Sequence, residues 1–540
     1  MLAFDTCHWR FVRRRYFPSK SAISILAVTI ALCGRATAKG AETVPGPVAQ
    51  LAAAIDEHIE AAWRIEGITP APRADDAEFF RRIYLDLLGR IPSVGEVRSF
   101  LADTDPLKRL RIVDRILESP AYFTHATVQW RNRLIPPVNA DFQTRFQLPR
   151  FDAWLRERLV LRTANDQLVK ELLALPVKAN APASAADLFY RARDAAPENL
   201  AAAASRVFLG VRLECAQCHD HPFSHWNRDE FWSLAAFFAG ARGDRFGPLF
   251  EDTVVRTIAI PDAGRSVEAR FLDGQRPEWS DKSQPQQVLA TWITARENPY
   301  FARAAVNRVW ADLMGRGIVD PPDDFDAANL PSHPELLDKL ANEFAAHGYD
   351  VNFLIRAITA SRVYQLTSAQ TDSRQSDPRW FARHAVRRLT ADQLFDSLLQ
   401  AAGQDEEGSF RERELRVDSP RLRLRELFDQ QGESTAGSQA TILQALAMMN
   451  GELVDSATSG NRCATLTAVT EAPFFTDAER IETLFLAALS RPPRAPEVQR
   501  LIAHVESSTN RDRSDSESRS AAFADVFWAL LNSSEFAVNH

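Results

Sequence analysis

Cys215, Cys218 and His219 form the pattern Cys-x-x-Cys-His, the clearest chemical signal in the chain. This spacing is typical of c-type haem attachment. Two thiolates can add to the two vinyl groups along one edge of a haem. The imidazole that follows the second cysteine is then carried over the ring, where it can bind the iron. The sequence therefore predicts these three residues as the cofactor-binding residues, with His219 as the ligand of the haem iron.

The same residues are compatible with two other kinds of site. His221 follows the motif and His225 lies nearby, so Cys215, Cys218, His219 and His221 could instead form a zinc cluster. A Cys-x-x-Cys pair can also form a redox disulfide, because this arrangement lowers the pKa of a thiol. The spacing favours haem over both alternatives.

The opposite face of such a haem has no evident ligand in the sequence. His221 follows His219 too closely to reach that face without sharp bending of the backbone. Met314 lies in a pattern that ends a helix, so we do not expect methionine to complete the coordination. A distant histidine, such as His125 or His333, or an open position remains.

The N-terminal residues 1–38 predict a signal peptide. A basic start precedes a short apolar run at 22–33, and the small residues at 36–38 fit a cleavage site before Lys39. The apolar run is too short for a comfortable membrane span, and no later stretch is long enough. We therefore expect a periplasmic or otherwise extracytoplasmic protein without a membrane span after cleavage. Bacterial c-type haem is attached in the same location.

Composition and charge exclude several classes of protein. The chain has 540 residues, 45% of them hydrophobic and 25% charged, which is ordinary for a globular protein of several domains. Removal of 1–38, with six basic residues and one acid, changes the net charge from −7 to −12. An acidic surface repels phosphate backbones, so we expect no nucleic acid partner. Three cysteines then remain, too few for a disulfide scaffold, and lone Cys463 is expected to be an inert thiol.

Hydrophobic periodicity and helix caps predict a mostly α, multidomain helical protein. Leu51, Ile55, Ile59 and Trp63 recur every four residues along one predicted helix. Asp75 or Asp76 is predicted to cap a second helix, and Ser93 with Glu96 to form the capping box of a third.

The predicted organisation has four parts after the signal peptide. A linker is expected at 39–49, a helical domain with the Cys-x-x-Cys-His motif at 50–240, and a β-containing insert at 241–284 with its strands around 250–275. The C-terminal helical region then covers 285–540. Within it, the polar segment 402–440 is predicted to form loops, as is 506–520.

One internal repeat joins the two ends of the chain. Residues 84–97 match 485–498 without a gap, and both copies contain an arginine followed by a proline turn. We predict that the two segments fold alike, each as a helix, a rigid turn and a capped helix.

The segment 298–337 is dense in asparagine, arginine, aspartate, histidine and tryptophan, which predicts a buried polar network or a cleft. Of the two kinds of role, the structural one is favoured. Asp323 and Asp324 are too close in sequence for a confident acid/base pair. Ser332 is predicted to cap a helix, with Glu335 completing its capping box. Catalytic residues stay unknown.

The run Phe-Leu-Gly-Val-Arg-Leu-Glu-Cys-Ala-Gln-Cys-His-Asp-His-Pro-Phe at 208–223 resembles the planctomycete cytochrome-like domain family. Residues 298–365 resemble its usual C-terminal companion, a planctomycete domain of unknown function. The resemblance implies haem-motif roles for Cys215, Cys218 and His219, and a surface or periplasmic bacterial protein. His221 matches a recurrent family position without an assigned role. The resemblance supplies no catalytic residues.

Together these observations predict an exported, single-haem c-type electron-transfer or redox-accessory protein. Its partner would be an unidentified redox protein or cell-surface protein. The alternative is a non-redox extracellular binding or structural module with a Cys/His zinc site, for which polysaccharide is one candidate ligand. An enzyme is a third option, because several polar loops could form a cleft.

Overall fold

The computed structural model describes residues 46–135, 142–177, 184–222, 224–243, 249–404, 420–428, 446–449, 451–459, 462–508 and 515–540. Pro45–His540 forms one compact unit. Two predictions, the signal peptide and its cleavage site, fall outside the described residues.

The N-terminal half of the unit consists of helices with short connections. These helices are α1 Pro47–Glu66, α2 Asp76–Leu88, α3 Val94–Ala102, α4 Lys108–Leu117, α5 Pro120–Leu134, α6 Phe142–Val160, α7 Asn165–Leu173, α8 Leu188–Arg191, α9 Pro197–Ala204 and α10 Arg228–Ala235. A π-helical turn, Ser205–Leu209, continues α9, and a 3₁₀ turn, Glu214–Gln217, follows it.

The C-terminal half is helical as well. Its helices are α11 Pro285–Ile293, α12 Phe301–Met314, α13 Pro334–Ala346, α14 Val351–Ala360, α15 Ala391–Ala402, α16 Pro420–Phe428, α17 Glu452–Thr458, α18 Ala464–Glu471, α19 Asp477–Leu489, α20 Ala495–Ser507 and α21 Asp515–Leu531.

Three small antiparallel sheets accompany the helices. Strand β1 Ala241–Arg242 pairs with β2 Phe250–Glu251, and β3 Thr257–Ile260 pairs with β4 Arg265–Glu268. These two sheets are the β insert that the sequence predicted. The third sheet joins β5 Arg387–Arg388 to β6 Val538–Asn539. The mostly α fold with a small β insert is therefore confirmed.

Local sequence signals account for the ends of the first helices. The apolar stripe of α1 is buried, and Gly67 ends the helix in the left-handed region. The carboxylate of Asp75 accepts a hydrogen bond from the backbone N–H of Glu78 at 2.8 Å, so Asp75 is the cap of α2. Ser93 and Glu96 form the predicted capping box of α3.

Three local predictions were wrong. The residue before α13 is His333, and the Ser332 hydroxyl donates instead to the Ile318 carbonyl at 3.1 Å, so Ser332 and Glu335 form no capping box. The polar segment 402–440 contains α16, whose Leu424 is buried, and 506–520 contains the start of α21. In 402–440, Leu424 and Phe428 pack into a core formed with distant helices. In 506–520, the helix that begins at Asp515 is packed through residues after 520, such as Phe523, so the polarity of the segment itself cannot predict it.

The hydrophobic core has three parts. The first joins α1–α5 to α12–α14, and it includes Ile59, Phe79 and Trp310. The second lies among α6–α11 and the β3–β4 sheet. The third lies among α15–α21 and also takes Leu85 from α2. Helix α2 therefore contributes to both the first and the third core.

The two repeat copies have the same order of elements. In each, a capped helix ends on a left-handed residue, Gly89 with φ +69° or Ser490 with φ +58°. After the proline turn, the carboxylate of Glu96 or Glu497 in the next helix accepts a hydrogen bond from the backbone N–H of Ser93 or Arg494, at 2.7 or 2.6 Å. The copies also contact one another. The buried guanidinium of Arg81 in α2 donates to the carbonyl oxygens of Ala488 and Phe536 at 3.0 and 2.9 Å.

One arginine–glutamate pair recurs at each turn but with different strength. Arg90 contacts the carboxylate of Glu96 at 3.5 Å, whereas Arg491 donates to both carboxylate oxygens of Glu497 at 2.9 Å. Arg491 also binds both carboxylate oxygens of Glu535, at 2.6 and 2.9 Å. Hydrogen bonds from Arg491 lower the pKa of Glu497 to about 2.

This difference predicts unequal effects of the same substitution. We expect Arg491→Met to lower the free energy of unfolding by about 2 kcal/mol, because several charge-assisted hydrogen bonds are lost. The equivalent change Arg90→Met should cost under about 1 kcal/mol, as expected for a long surface contact. Urea unfolding of both variants measures the two values. Equal losses of unfolding free energy in Arg491→Met and Arg90→Met would contradict this prediction.

A buried carboxyl in β2 predicts a dependence of stability on pH. Glu251 is only 2% exposed, and burial raises the pKa of its carboxyl to about 7. An ordinary unfolded glutamate titrates near 4.3. Between these values the native state holds a proton that the unfolded state releases, so the native state loses stability as the pH rises from about 4.5 to 7.

The variant Glu251→Gln resembles the protonated carboxyl at every pH. We compare the free energy of unfolding of this variant with that of the unchanged protein. The difference should move in favour of the variant by about 2 kcal/mol from pH 5 to pH 8. The exposed residue Glu335 provides the control, because Glu335→Gln should show no such change. Chemical unfolding at the two pH values tests the prediction, and a pH-independent difference for Glu251→Gln would refute it.

Candidate functional site

The Cys-x-x-Cys-His motif lies on a surface turn between α9 and α10. Cys215 lies within the 3₁₀ turn Glu214–Gln217, and Cys218 directly follows it. Side chains three residues apart eclipse one another in a 3₁₀ helix, so both cysteines lie on one side of the turn. Both thiols are free and exposed, whereas Ala216 between them is fully buried. The turn therefore presents two thiols to solvent while Ala216 anchors it.

Helix α10 holds the motif in place. The indole N–H of Trp232 donates to the carbonyl oxygen of Gln217 at 3.0 Å. The backbone N–H of Arg228 donates to the Asp220 carboxylate at 2.9 Å. Asn227 caps α10 through a capping box, which fixes the start of the helix beneath the turn. These hydrogen bonds hold the turn against the start of α10.

His219 is exposed, and its ring is oriented by a local hydrogen bond. The Nδ1 atom lies 2.7 Å from the carbonyl oxygen of Asp220. A carbonyl accepts but cannot donate, so Nδ1 carries the proton and Nε2 keeps its lone pair. Such a contact is the usual support for a metal-ligating histidine. His219 thus has a free ligating nitrogen.

A loop from the C-terminal half supports the segment before the motif. Gly210 ends the π-helical turn with φ +68°, and a Cβ atom here would lie 2.7 Å from the ring of Phe325. The Gly210 carbonyl accepts a hydrogen bond from the Phe325 N–H at 2.8 Å. Only glycine combines this backbone conformation with so close a contact.

Asp323 ties the same two segments together by charge. Its carboxylate accepts hydrogen bonds from the guanidinium of Arg206 and from that of Arg212, the latter at 2.6 Å. Burial alone would raise the pKa of Asp323, but the two arginines outweigh burial and the pKa is lowered. Asp323 is therefore a structural anion rather than an acid/base catalyst.

Part of the polar segment 298–337 forms a buried hydrogen-bond network around Asn307. The Asn307 side chain, which is fully buried, donates to the carbonyl oxygens of Val319 and Pro322 at 2.8 and 3.2 Å. Its amide oxygen accepts from the Val319 N–H at 3.0 Å. These bonds shape the loop that carries Asp323.

The donor set at the motif fits covalent attachment of a haem and one axial ligand. Two exposed thiols lie on one side of a turn, and a histidine with an available Nε2 follows them. The motif is open to solvent, so an attached porphyrin would lie on the surface of this chain. Residues Cys215, Cys218, His219 and His221 do not form a preassembled zinc cluster. Within the described part of the chain, no three Cys, His, Asp or Glu residues are grouped to hold a metal ion.

The distant histidines considered for the opposite haem face have other contacts. The ring of His333 packs against the rings of Trp380 and Phe381, and the residue is 7% exposed. The His125 Nε2 atom lies 2.9 Å from the amide nitrogen of Gln129. The ring of His333 is thus packed among aromatic rings, and that of His125 is hydrogen-bonded to a residue of its own helix.

A second polar feature lies between the two halves of the unit. The sequence indicated a buried polar network or a cleft for the segment 298–337, which contributes only part of this feature. A cleft there is lined by Trp130, Arg133, Asn165, Phe208, Phe301 and Arg308, among others. These residues are widely separated in sequence, and none belongs to a recognisable motif. Phe301 and Arg308 lie in the polar segment 298–337, and no local signal identified the residues that come from the first half.

Comparisons with known proteins find two matched regions, in the order of the companion arrangement that the resemblance implied. Residues 54–243 match PSCyt2, described as a protein of unknown function (DUF1549). Residues 285–414 match PSD1, described as a protein of unknown function (DUF1553). No curated protein and no solved structure matches the chain. The helices of the described residues include none that is long and apolar enough to cross a membrane.

Proposed function

We propose that this protein is an extracytoplasmic redox protein that carries one c-type haem on its surface and exchanges electrons with a partner protein. The observation that supports it most is the arrangement of Cys215, Cys218 and His219. The two thiols are exposed on one side of a turn, and the His219 Nδ1 is held by the Asp220 carbonyl.

In this proposal the chain's residues have distinct parts. Cys215 and Cys218 form thioether bonds when each S–H adds across a vinyl C=C bond, with the hydrogen passing to the vinyl carbon. His219 presents Nε2, and the Asp220 carbonyl fixes the orientation of its ring. A bound haem would supply a one-electron Fe³⁺/Fe²⁺ couple.

The surface position of the motif favours electron transfer over chemistry on a small substrate. Electron exchange needs one edge of the cofactor to approach a partner, and an exposed turn allows that approach. A reaction on a bound substrate would instead favour an enclosed pocket. The predicted signal peptide at 1–38 supports an extracytoplasmic location, in which haem attachment to such motifs takes place.

The test is a pyridine haemochrome assay on the full-length protein, produced in a bacterial host that can attach haem c. We expect about one haem per chain, as the single motif implies. The variant His219→Ala should keep the haem but change the spin state in the oxidised spectrum. His221→Ala is the matched control and should leave that spectrum unchanged.

Two results would contradict the proposal. A protein without haem but with one zinc ion per chain, lost in both Cys215→Ala and His221→Ala, would support the non-redox binding or structural module. An unchanged spectrum for His219→Ala would contradict the assignment of His219 as the ligand of the iron.

A further inference from the structure

The cleft between the two family-matched regions has the features of a binding site. Trp130, Arg133, Asn165 and Phe208 come from the first region, and Phe301 and Arg308 come from the second. The cavity has a volume of about 30 Å³. This space exceeds what one water molecule needs, and it is far smaller than a drug-sized pocket. A ligand could therefore insert one small polar group here.

Arg308 supplies a cation that the protein does not neutralise directly. Its guanidinium donates to the carbonyl oxygens of Val207 and Arg206, at 2.7 and 3.4 Å, on the π-helical turn. Among the described residues, no carboxylate forms an ion pair with it. Burial lowers the pKa of Arg308 to about 10, so the side chain stays charged at neutral pH. π-Helical turns of this kind often occur at functional sites.

Arg133 supplies a second cation, and its carboxylate partner Asp312 is partly exposed. Its side chain is 22% exposed and donates to the Asp312 carboxylate at 2.5 Å. The guanidinium also lies 6.0 Å from the centre of the Trp130 ring. The carboxylates that act on Arg308 are those of Asp312 and Asp323. Asp312 is bonded by Arg133, and Asp323 by Arg206 and Arg212, so four guanidinium groups surround two carboxylates and leave an excess of positive charge. A planar guanidinium is well suited to bind a carboxylate.

Asn165 contributes a buried acceptor beside these two donors. It is the first residue of α7 and is 5% exposed. Within the described residues, its side-chain oxygen accepts no hydrogen bond. A buried polar atom without a partner is uncommon and needs an explanation. A ligand that donates a hydrogen bond to this oxygen would provide one.

We propose that this cleft binds the carboxylate end of a hydroxycarboxylate. The carboxylate would bind Arg133 and Arg308, and the neighbouring hydroxyl would donate to the Asn165 oxygen. Trp130 and Phe301 would contact the apolar carbons. A sulfate offers the arginines similar oxygens, but the dianion present at neutral pH has no proton to give to Asn165. The proposal is independent of haem at the Cys-x-x-Cys-His motif.

Saturation-transfer NMR with glycolate and the full-length protein tests the proposal. We expect saturable binding of glycolate, with acetate about fivefold weaker because it lacks the hydroxyl donor. Sulfate should compete with glycolate less well than unlabelled lactate does, since lactate carries the same hydroxycarboxylate group.

Two substitutions in the cleft and one outside it make the test specific. Arg133→Gln should weaken glycolate binding about tenfold or more, because a charge-assisted hydrogen bond is lost. Asn165→Asp should abolish binding, yet an acidic residue in the first turn suits α7, so the fold should be kept. Arg356→Gln is the matched control, because Arg356 is also 22% exposed and is paired with Asp114. It should not change binding.

Three results would overturn the proposal. These are no binding of glycolate to the native protein, equal effects of Arg133→Gln and Arg356→Gln, and stronger competition by sulfate than by lactate. In the first case the cavity holds water alone. In the second case binding lies elsewhere on the chain, and in the third the cleft selects tetrahedral anions instead.

Discussion

Asp86→Ala is expected to lower the free energy of unfolding by about 3–5 kcal/mol, because the substitution leaves the Arg387 guanidinium and two further buried donors without their acceptor. The Asp86 side chain in α2 is 1% exposed. Its carboxylate accepts hydrogen bonds from Arg387 at 2.6 Å, from the Tyr364 hydroxyl at 2.8 Å and from the Asn539 amide at 2.6 Å. The fully buried Arg82 lies close enough to interact with it as well.

Asp86 also joins parts of the chain that are far apart in sequence. Arg387 belongs to β5 and Asn539 to β6, so the carboxylate connects α2 to the small C-terminal sheet. We expect Asp338→Ala, the matched control, to cost under about 1 kcal/mol, because the Asp338 side chain is 48% exposed in its pair with Arg303. Urea unfolding measures both values. A loss of less than about 1 kcal/mol for Asp86→Ala would show that the network does not hold these elements together.

The double variant Cys215→Ala/Cys218→Ala is expected to lose all covalently bound haem and to keep its stability. Both thiols are exposed, and surface substitutions usually change stability by no more than about 0.5 kcal/mol. The variant Cys463→Ala should behave in the opposite way. The Cys463 sulfur is buried and accepts a hydrogen bond from the Leu466 N–H at 3.3 Å. Its removal should cost about 1 kcal/mol without loss of haem.

This pair of variants separates attachment of a cofactor from general effects of cysteine removal. Haem content and unfolding free energy are measured on the same preparations. Loss of haem in Cys463→Ala, or its retention in the double variant, would contradict the assigned attachment site. Strong destabilisation of the double variant would indicate that the two thiols have a structural role instead.

The sequence predicted those features that depend on neighbouring residues. The apolar stripe of α1, the cap at Asp75 and the capping box at Ser93 are local, and all three occur as predicted. The β3–β4 hairpin is local too, because a short turn joins its strands. The motif at Cys215 was recognised from spacing alone, and its position on an exposed turn agrees with a role in binding.

Features that depend on distant residues could not be predicted. Strand β5 pairs with β6 across about 150 residues, and neither strand has more than two residues. The ion pairs of Asp323 link it to residues more than 100 positions earlier, although its sequence surroundings indicated only a polar loop. Ser332 has the residue type of a cap, but tertiary packing turns its hydroxyl to Ile318. The cleft at Arg308 requires two folded halves to exist at all.

The most direct test of the proposed function is the mass of the intact protein under denaturing conditions, after expression in a host that attaches haem c. The account predicts a chain that begins near Lys39 and carries one haem that denaturant does not remove, with Cys215 and Cys218 resistant to alkylation. The mass of the polypeptide alone, with both thiols open to alkylation, would contradict it.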